Sequence, residues 1–284
     1  MGSKQENLSR EETAIWMTMT NKYVIDLESA SLKVTMAVND VVLSQLNDGW
    51  PAQVSSLLNP WLRNGANLCT VTMAEPVPTG REKPAELEFI GNTKNRKLKA
   101  RITRSSGSDT LWQYQFPEDA GGDVELPHSN PLPARQFNVN DDIPRWVWDT
   151  GPAVVRVAEV EASLFAAFRE IHSAFQSSDV ERLMALGVVR NKEMAQATNT
   201  NPDDYVQAVR RSWTRTFSTT RPLPLPRLEG PQDLLFEPAW EGHLFKVMTL
   251  DGRQPLETER DAQGLVIAYS VYLGREGAVW RWVR

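Results

Sequence analysis

Acid–base chemistry near neutral pH needs a titratable side chain in apolar surroundings, where burial moves its pKa toward 7. In this sequence His172 and Tyr205 are best placed for it. His172 lies beside an apolar stripe, Tyr205 follows Asp203 and Asp204, and a further histidine, His243, precedes a strand after Glu241-Gly242. Each has a plainer reading: the histidines as structural groups, Tyr205 as packing, the aspartates as partners of a helix N-terminus. No His/Asp/Glu cluster has metal-ligand spacing, no Gly-rich phosphate loop occurs, and no Ser occupies a nucleophile elbow. We therefore expect no metal or cofactor and assign no catalytic residue. Cys69 is the single cysteine, which excludes an intramolecular disulfide and a Cys-based zinc site. Within Leu68-Cys69-Thr70-Val71-Thr72 it reads as a small buried residue, since no His adjoins it to activate the thiol.

Recognition chemistry has better candidates. In Ile143-Pro144-Arg145-Trp146-Val147-Trp148 the two tryptophans share a face if the stretch is extended. They either seal two domains together or form an exposed platform for sugar or protein. Tyr272 and Arg281, on the reverse side of a terminal hairpin, are further candidates for a ligand or partner.

The elements that must position these residues change character midway. From Lys22 to about Phe116 the period is two: Tyr23, Ile25 and Leu27 alternate with Val24, Asp26 and Glu28, and Asn39-Asp40 offers a turn between two more strands. Charge suggests a second hairpin, with Glu88 opposite Lys97 and Glu86 opposite Lys99. That pairing would neutralise part of the run Lys94, Arg96, Lys97, Lys99, Arg101 and Arg104, which otherwise resembles a nucleic-acid or anionic-lipid stripe. Thr110 to Phe116 adds a strand, giving an all-β sandwich or small barrel over 21–120 after an N-terminal extension, 1–20. Asn59-Pro60-Trp61-Leu62-Arg63-Asn64-Gly65-Ala66-Asn67 resembles the turn into a strand of galactose-binding jelly-roll domains. The resemblance implies a jelly-roll-like fold, and carbohydrate binding is a third functional reading. Residues 121–152, with Gly121-Gly122 and Pro131-Leu132-Pro133, read as an interdomain segment.

Beyond it the period becomes helical. Val157, Leu164, Phe168, Ile171 and Phe175 form one stripe, Asp179 or Ser178 caps a helix through Val180, Leu183, Met184 and Leu186, and Asn201-Pro202 opens a third with Tyr205, Val209, Trp213 and Phe217 on one face. The prolines of Arg221-Pro222-Leu223-Pro224-Leu225-Pro226 make an extended connector, an edge, or a proline-rich ligand. A meander follows: Leu244 to Leu250, Pro255 to Thr258, then Leu265 to Leu273 paired with Ala278 to Val283 through a Gly274–Gly277 loop. In that register Val271 meets Trp280 and Tyr269 meets Trp282.

The run from Phe168 to Leu183 and the strands closing at Trp282 resemble the NTF2-like superfamily. The resemblance implies an α+β cone with a bent antiparallel sheet over 153–284. Members include isomerases and dehydratases as well as carriers and bacterial immunity proteins, so fold alone does not decide function.

Composition narrows the classes. Hydrophobic residues are 41% and charged residues 24% of 284, as in ordinary globular chains. A net charge of −5 and a pI near 5.4 oppose nonspecific nucleic-acid binding. No apolar run approaches the roughly 20 residues of a membrane span. Glu6, Arg10, Glu11 and Glu12 stand where a signal peptide would be apolar, so the expected place is the cytoplasm, or the periplasm if a signal was removed. The expected function is a non-catalytic interaction protein of bacterial type that binds another protein, in the manner of toxin-neutralising immunity proteins. The alternative is a small-molecule isomerase, lyase or ligand carrier using the cone.

Overall fold

The computed structural model describes residues 22–46, 49–76, 84–104, 109–117, 125–126, 132–141, 143–154, 156–261 and 266–284. The expected N-terminal extension, Gly121-Gly122 and Leu265 lie outside them. Among the described residues the fold is mixed α and β, with antiparallel sheets throughout and helices mostly in the second half. The Cα atoms group into two compact units, one of Thr20–Ile143 and one that contains Pro144–Arg284.

The first unit carries β1 (Tyr23–Ala30), β2 (Lys33–Val38), β3 (Val41–Leu46), β4 (Ala52–Leu57), β5 (Gly65–Ala74), the helix α1 (Pro84–Gly91), β6 (Lys97–Arg104), β7 (Asp109–Phe116) and β8 (Arg135–Val139). Two four-stranded antiparallel sheets result, in the orders β4-β1-β6-β7 and β3-β2-β5-β8. The alternation in β1 is realised, with Tyr23, Ile25 and Leu27 buried and their neighbours half-buried. Asn39 and Asp40 adopt φ of 49° and 64°, the two left-handed positions that let Val38 face Val41 across a two-residue turn.

The expected hairpin of 86–99 is not formed. Residues 84–91 are helical, because Pro84 suits a first turn and Ala85, Glu86, Leu87 and Glu88 are strong helix formers. The charges on β6 find other partners: Lys97 bonds Glu28 at 2.6 Å and Arg101 bonds Asp26 at 2.9 Å, both on β1. Gly65 has a left-handed φ, 83°, and the Asn67 side-chain amide donates to the carbonyls of Arg63 (2.8 Å) and Gly65 (3.1 Å). Part of the stretch read as a connector is a strand, since β8 pairs with β5.

In the second unit α2 (Glu161–Gln176), α3 (Val180–Leu186), α4 (Val188–Ala197) and α5 (Pro202–Thr219) precede β9 (Pro222–Leu223), β10 (Leu234–Ala239), β11 (Leu244–Thr249), β12 (Leu256–Thr258), β13 (Ala268–Tyr269), β14 (Val271–Glu276) and β15 (Val279–Trp282). α2 buries Leu164, Phe165, Phe168, Ile171 and Phe175. Asp179 caps α3 by accepting from the Arg182 amide at 2.9 Å, and Asn201 caps α5 through the amides of Asp203 and Asp204. The periodicity did not reveal α4, whose buried residues include Asn191 and Glu193; polar groups on the inward side erase the apolar stripe.

The principal sheet runs β10-β11-β14-β15 and a smaller one β13-β12-β9. Two expectations are corrected here. β12 does not return along β11 but pairs with β9 and β13. The terminal hairpin turns at Gly277-Ala278, so Leu273 meets Trp282 and Arg275 meets Trp280. Gly277 supplies a left-handed φ of 61°, which fits a tight two-residue turn better than the longer loop expected. The offset of four residues preserves the alternation, so the faces are as expected and the partners are not.

Candidate functional site

The side of the principal sheet that faces the helices is filled by rings. Trp213 lies 4.3 Å from Tyr269, 5.5 Å from Phe217 and 6.3 Å from Trp282 between ring centroids, and Phe175 meets Trp213 edge-on at 6.0 Å. Trp280 packs on Phe245 at 5.5 Å and donates from Nε1 to Ser163 Oγ at 2.9 Å. These offset and edge-to-face geometries are the favoured ones for aromatic pairs. Tyr205 is buried on the inward face of α5. His172 is half-buried, 5.8 Å from the ring of Phe168, and its buried Nε2 has no hydrogen-bond partner among the described residues. Burial holds its pKa below the ordinary 6.5.

The opposite side of the sheet is polar at its centre and roofed by tryptophan. Glu237, Lys246 and Tyr272 stand side by side across β10, β11 and β14. Burial lowers the Lys246 pKa and raises that of Tyr272, with Glu237 adding to the second shift. Residues 146–154 cross this side as a strap. Trp146 and Trp148 are each 1% exposed, and their rings are nearly parallel, 8° apart in plane and 5.6 Å between centroids. Trp240 meets Trp148 edge-on and donates from Nε1 to Asp149 Oδ1 at 2.9 Å. The Val154 amide donates to the Gly242 carbonyl at 3.0 Å. Two glycines permit the close approach: a Cβ at Gly274 would lie 2.6 Å from Trp148 Cβ, and one at Gly242 would lie 2.7 Å from the Val154 carbonyl oxygen.

Under this roof is a buried ion pair. Arg284, 5% exposed, holds its guanidinium 4.1 Å from the centroid of Trp148 and 4.9 Å from that of Trp146. One of its nitrogens donates to Glu193 Oε2 at 3.0 Å and to the Val283 carbonyl at 2.6 Å. The other carboxylate oxygen of Glu193 accepts from the Val147 amide at 2.6 Å. Burial raises the Glu193 pKa above the ordinary 4.5, against the pull of Arg284 and the Val147 amide. Burial likewise lowers that of Arg284 to about 10, opposed by Glu193. Desolvation thus outweighs attraction for both partners, as expected where two charges leave water together.

The structure brings Trp146, Trp148 and Tyr272 onto this roofed side, leaves His172 on α2, and buries Tyr205 on α5 near enough to Arg284 to act on its charge. Arg281 is exposed and bonds Glu276 at 3.0 Å. Sequence reasoning missed Glu193, Trp240 and Arg284, and no spacing could link Glu193 to an arginine 91 positions later.

An open cleft of about 380 Å³ lies between α2 and α3, lined by Arg169, Glu170, Ser173, Ser177, Asp179 and Arg182. Its charges are mixed, and Arg182 is bonded to Glu170 at 2.5 Å. In the first unit Trp112 is buried and Trp61 half-buried, while burial pushes the Cys69 thiol up to about 12, which removes its nucleophilic form at neutral pH. Among the described residues no three His, Cys, Asp or Glu gather as a metal site, and no helix is long and apolar enough to cross a membrane. Protein-family models, curated proteins and solved structures all return no match to this chain.

Proposed function

We propose that this protein is a non-catalytic binding protein whose partner is another protein. In this reading its second unit is an NTF2-like α+β cone and its first a jelly-roll-like β-sandwich. The observation that carries it is the filled space between helices and sheet. An NTF2-like enzyme or carrier takes its ligand there, and here Phe175, Trp213, Phe217, Tyr269, Trp280 and Trp282 pack on one another. A long α2, the shorter α3 and α4, and an antiparallel sheet against them support the NTF2-like assignment. The most specific form of the reading is a bacterial immunity-like protein that neutralises a toxin by stoichiometric complex formation.

The test begins with cross-linking of the full chain in an extract of its source, followed by reconstitution of the captured protein with this one from pure components. A saturable, stoichiometric complex in sedimentation is expected. Absence of any such complex, together with a thermal shift by members of a metabolite library, would overturn the proposal.

A small-molecule isomerase, lyase or carrier is the competing reading, and one observation favours it. A half-buried histidine whose Nε2 has no partner among the described residues, with a lowered pKa, favours the neutral form that a general base requires. A metabolite whose thermal shift is abolished by His172→Gln would support it.

A further inference from the structure

Burying an arginine against two tryptophans is expensive where a methionine would fill the same space, so the guanidinium needs a reason beyond packing. The geometry around Arg284 has the parts of a cation receptor. Two indoles lie within 6 Å or so of the charge, the range in which a ring's negative face attracts a cation, at 4.1 and 4.9 Å. A carboxylate completes the set, and half of it is positioned without Arg284, because Glu193 Oε1 is held by the Val147 amide. The backbone of Arg284 is also fixed independently of its side chain. Its carbonyl accepts from the Tyr272 amide at 3.0 Å and from Trp282 Nε1 at 2.6 Å. The strap is anchored elsewhere too, by Asp149 on Trp240 and Val154 on Gly242. Removing only the side chain would therefore leave rings and carboxylate in place around a guanidinium-sized space.

We infer that Trp146, Trp148 and Glu193 form a guanidinium-binding cage in which Arg284 is the tethered ligand. The cage selects a planar, weakly hydrated cation over an ammonium, since only a guanidinium stacks flat on indole and meets a carboxylate through its edge. Among the described residues Arg190, Lys192 and Tyr205 also act on the charges of the pair.

The experiment is chemical rescue in the full chain. Arg284→Ala is expected to lower the melting temperature, and methylguanidinium at sub-denaturing concentration is expected to raise it again in a saturable way, as a ligand of the native state must. Methylammonium should do so less well. Neither should stabilise wild type, whose cage is occupied, nor the Glu193→Gln/Arg284→Ala double variant. Adding N-acetyl-arginine amide separates two sources of the same chemistry: rescue by it as well as by methylguanidinium shows that the cage admits a peptide-borne arginine, and rescue by methylguanidinium alone restricts it to free compounds. Should Arg284→Ala not accumulate folded, Arg284→Met fills the stem of the side chain and leaves the guanidinium position empty for the same titration. No saturable rise in either variant, or an equal rise in the Glu193→Gln double variant, would overturn the inference.

Discussion

The two sides of the β10–β11–β14–β15 sheet are both closed by tryptophan, yet they are held by different physics. On the helix side the rings of Trp213, Trp280 and Trp282 meet Phe175, Phe217, Phe245 and Tyr269, and the contacts are mostly non-directional. On the strap side Trp146, Trp148 and Trp240 surround a guanidinium, and almost every contact has a required direction: Arg284 to Glu193, Glu193 to Val147, Trp240 to Asp149. Hydrophobic packing accepts substitutes of similar volume, whereas a buried charge accepts none that leaves its partner alone. The strap side should therefore be the less tolerant, although the helix side buries more rings.

The most severe break of that contrast is Glu193→Ala. It leaves a guanidinium buried without its carboxylate, and arginine does not shed its proton to escape. Loss of about 3–5 kcal/mol is expected from urea denaturation. Arg284→Met should cost less, because the stranded Glu193 is a carboxyl already pushed up by burial and can take a proton. Joint replacement, Glu193→Met with Arg284→Met, should recover much of the loss. If Glu193→Ala were the milder single change, the strap would not be organised by charge. Next in size is Gly274→Ala, whose new Cβ would meet Trp148 Cβ at 2.6 Å. Overpacking of this kind costs about 1–3 kcal/mol, measurable as a lower denaturation midpoint at unchanged slope. On the helix side, Trp213→Phe keeps an aromatic against Tyr269 and Phe217 and should cost about 1.5 kcal/mol or less; a larger loss than that of Gly274→Ala would invert the comparison.

What could be read in the sequence divides along the same line. Local devices were legible because they act within a few residues: the Asn39-Asp40 turn, the Asp179 and Asn201 caps, and the stripe of α2. Pairings between distant segments were not. Glu86 and Glu88 match Lys97 and Lys99 as well on paper as Glu28 and Asp26 match Lys97 and Arg101, and only the helix propensity of 84–91 separates the two. The glycines at 274 and 277 permit either of two hairpin loops, so the face of Trp280 and Trp282 could be read and their partners could not. Trp146 and Trp148 could be read as a buried seal or as an exposed platform; the structure buries them, and what buries them comes from Glu193, Trp240, Gly274 and Arg284, residues with no shared periodicity.

The finest distinction is electrostatic and concerns His172, half-buried against the ring of Phe168. Burial lowers its pKa below 6.5, so the folded state prefers the neutral imidazole more than the unfolded chain does. A group depressed in this way gives its full stability above the unfolded value, and that stability is lost as pH falls through 6.5 toward the lower folded value. Melting temperatures of wild type and His172→Gln, compared between about pH 7 and pH 5, should converge on acidification, because only wild type must charge a half-buried ring over that range. The carboxylates that titrate nearby are common to both proteins and cancel in the difference. Parallel curves would mean that the imidazole reaches water freely, and that α2 yields to a charge where the strap around Arg284 is expected not to.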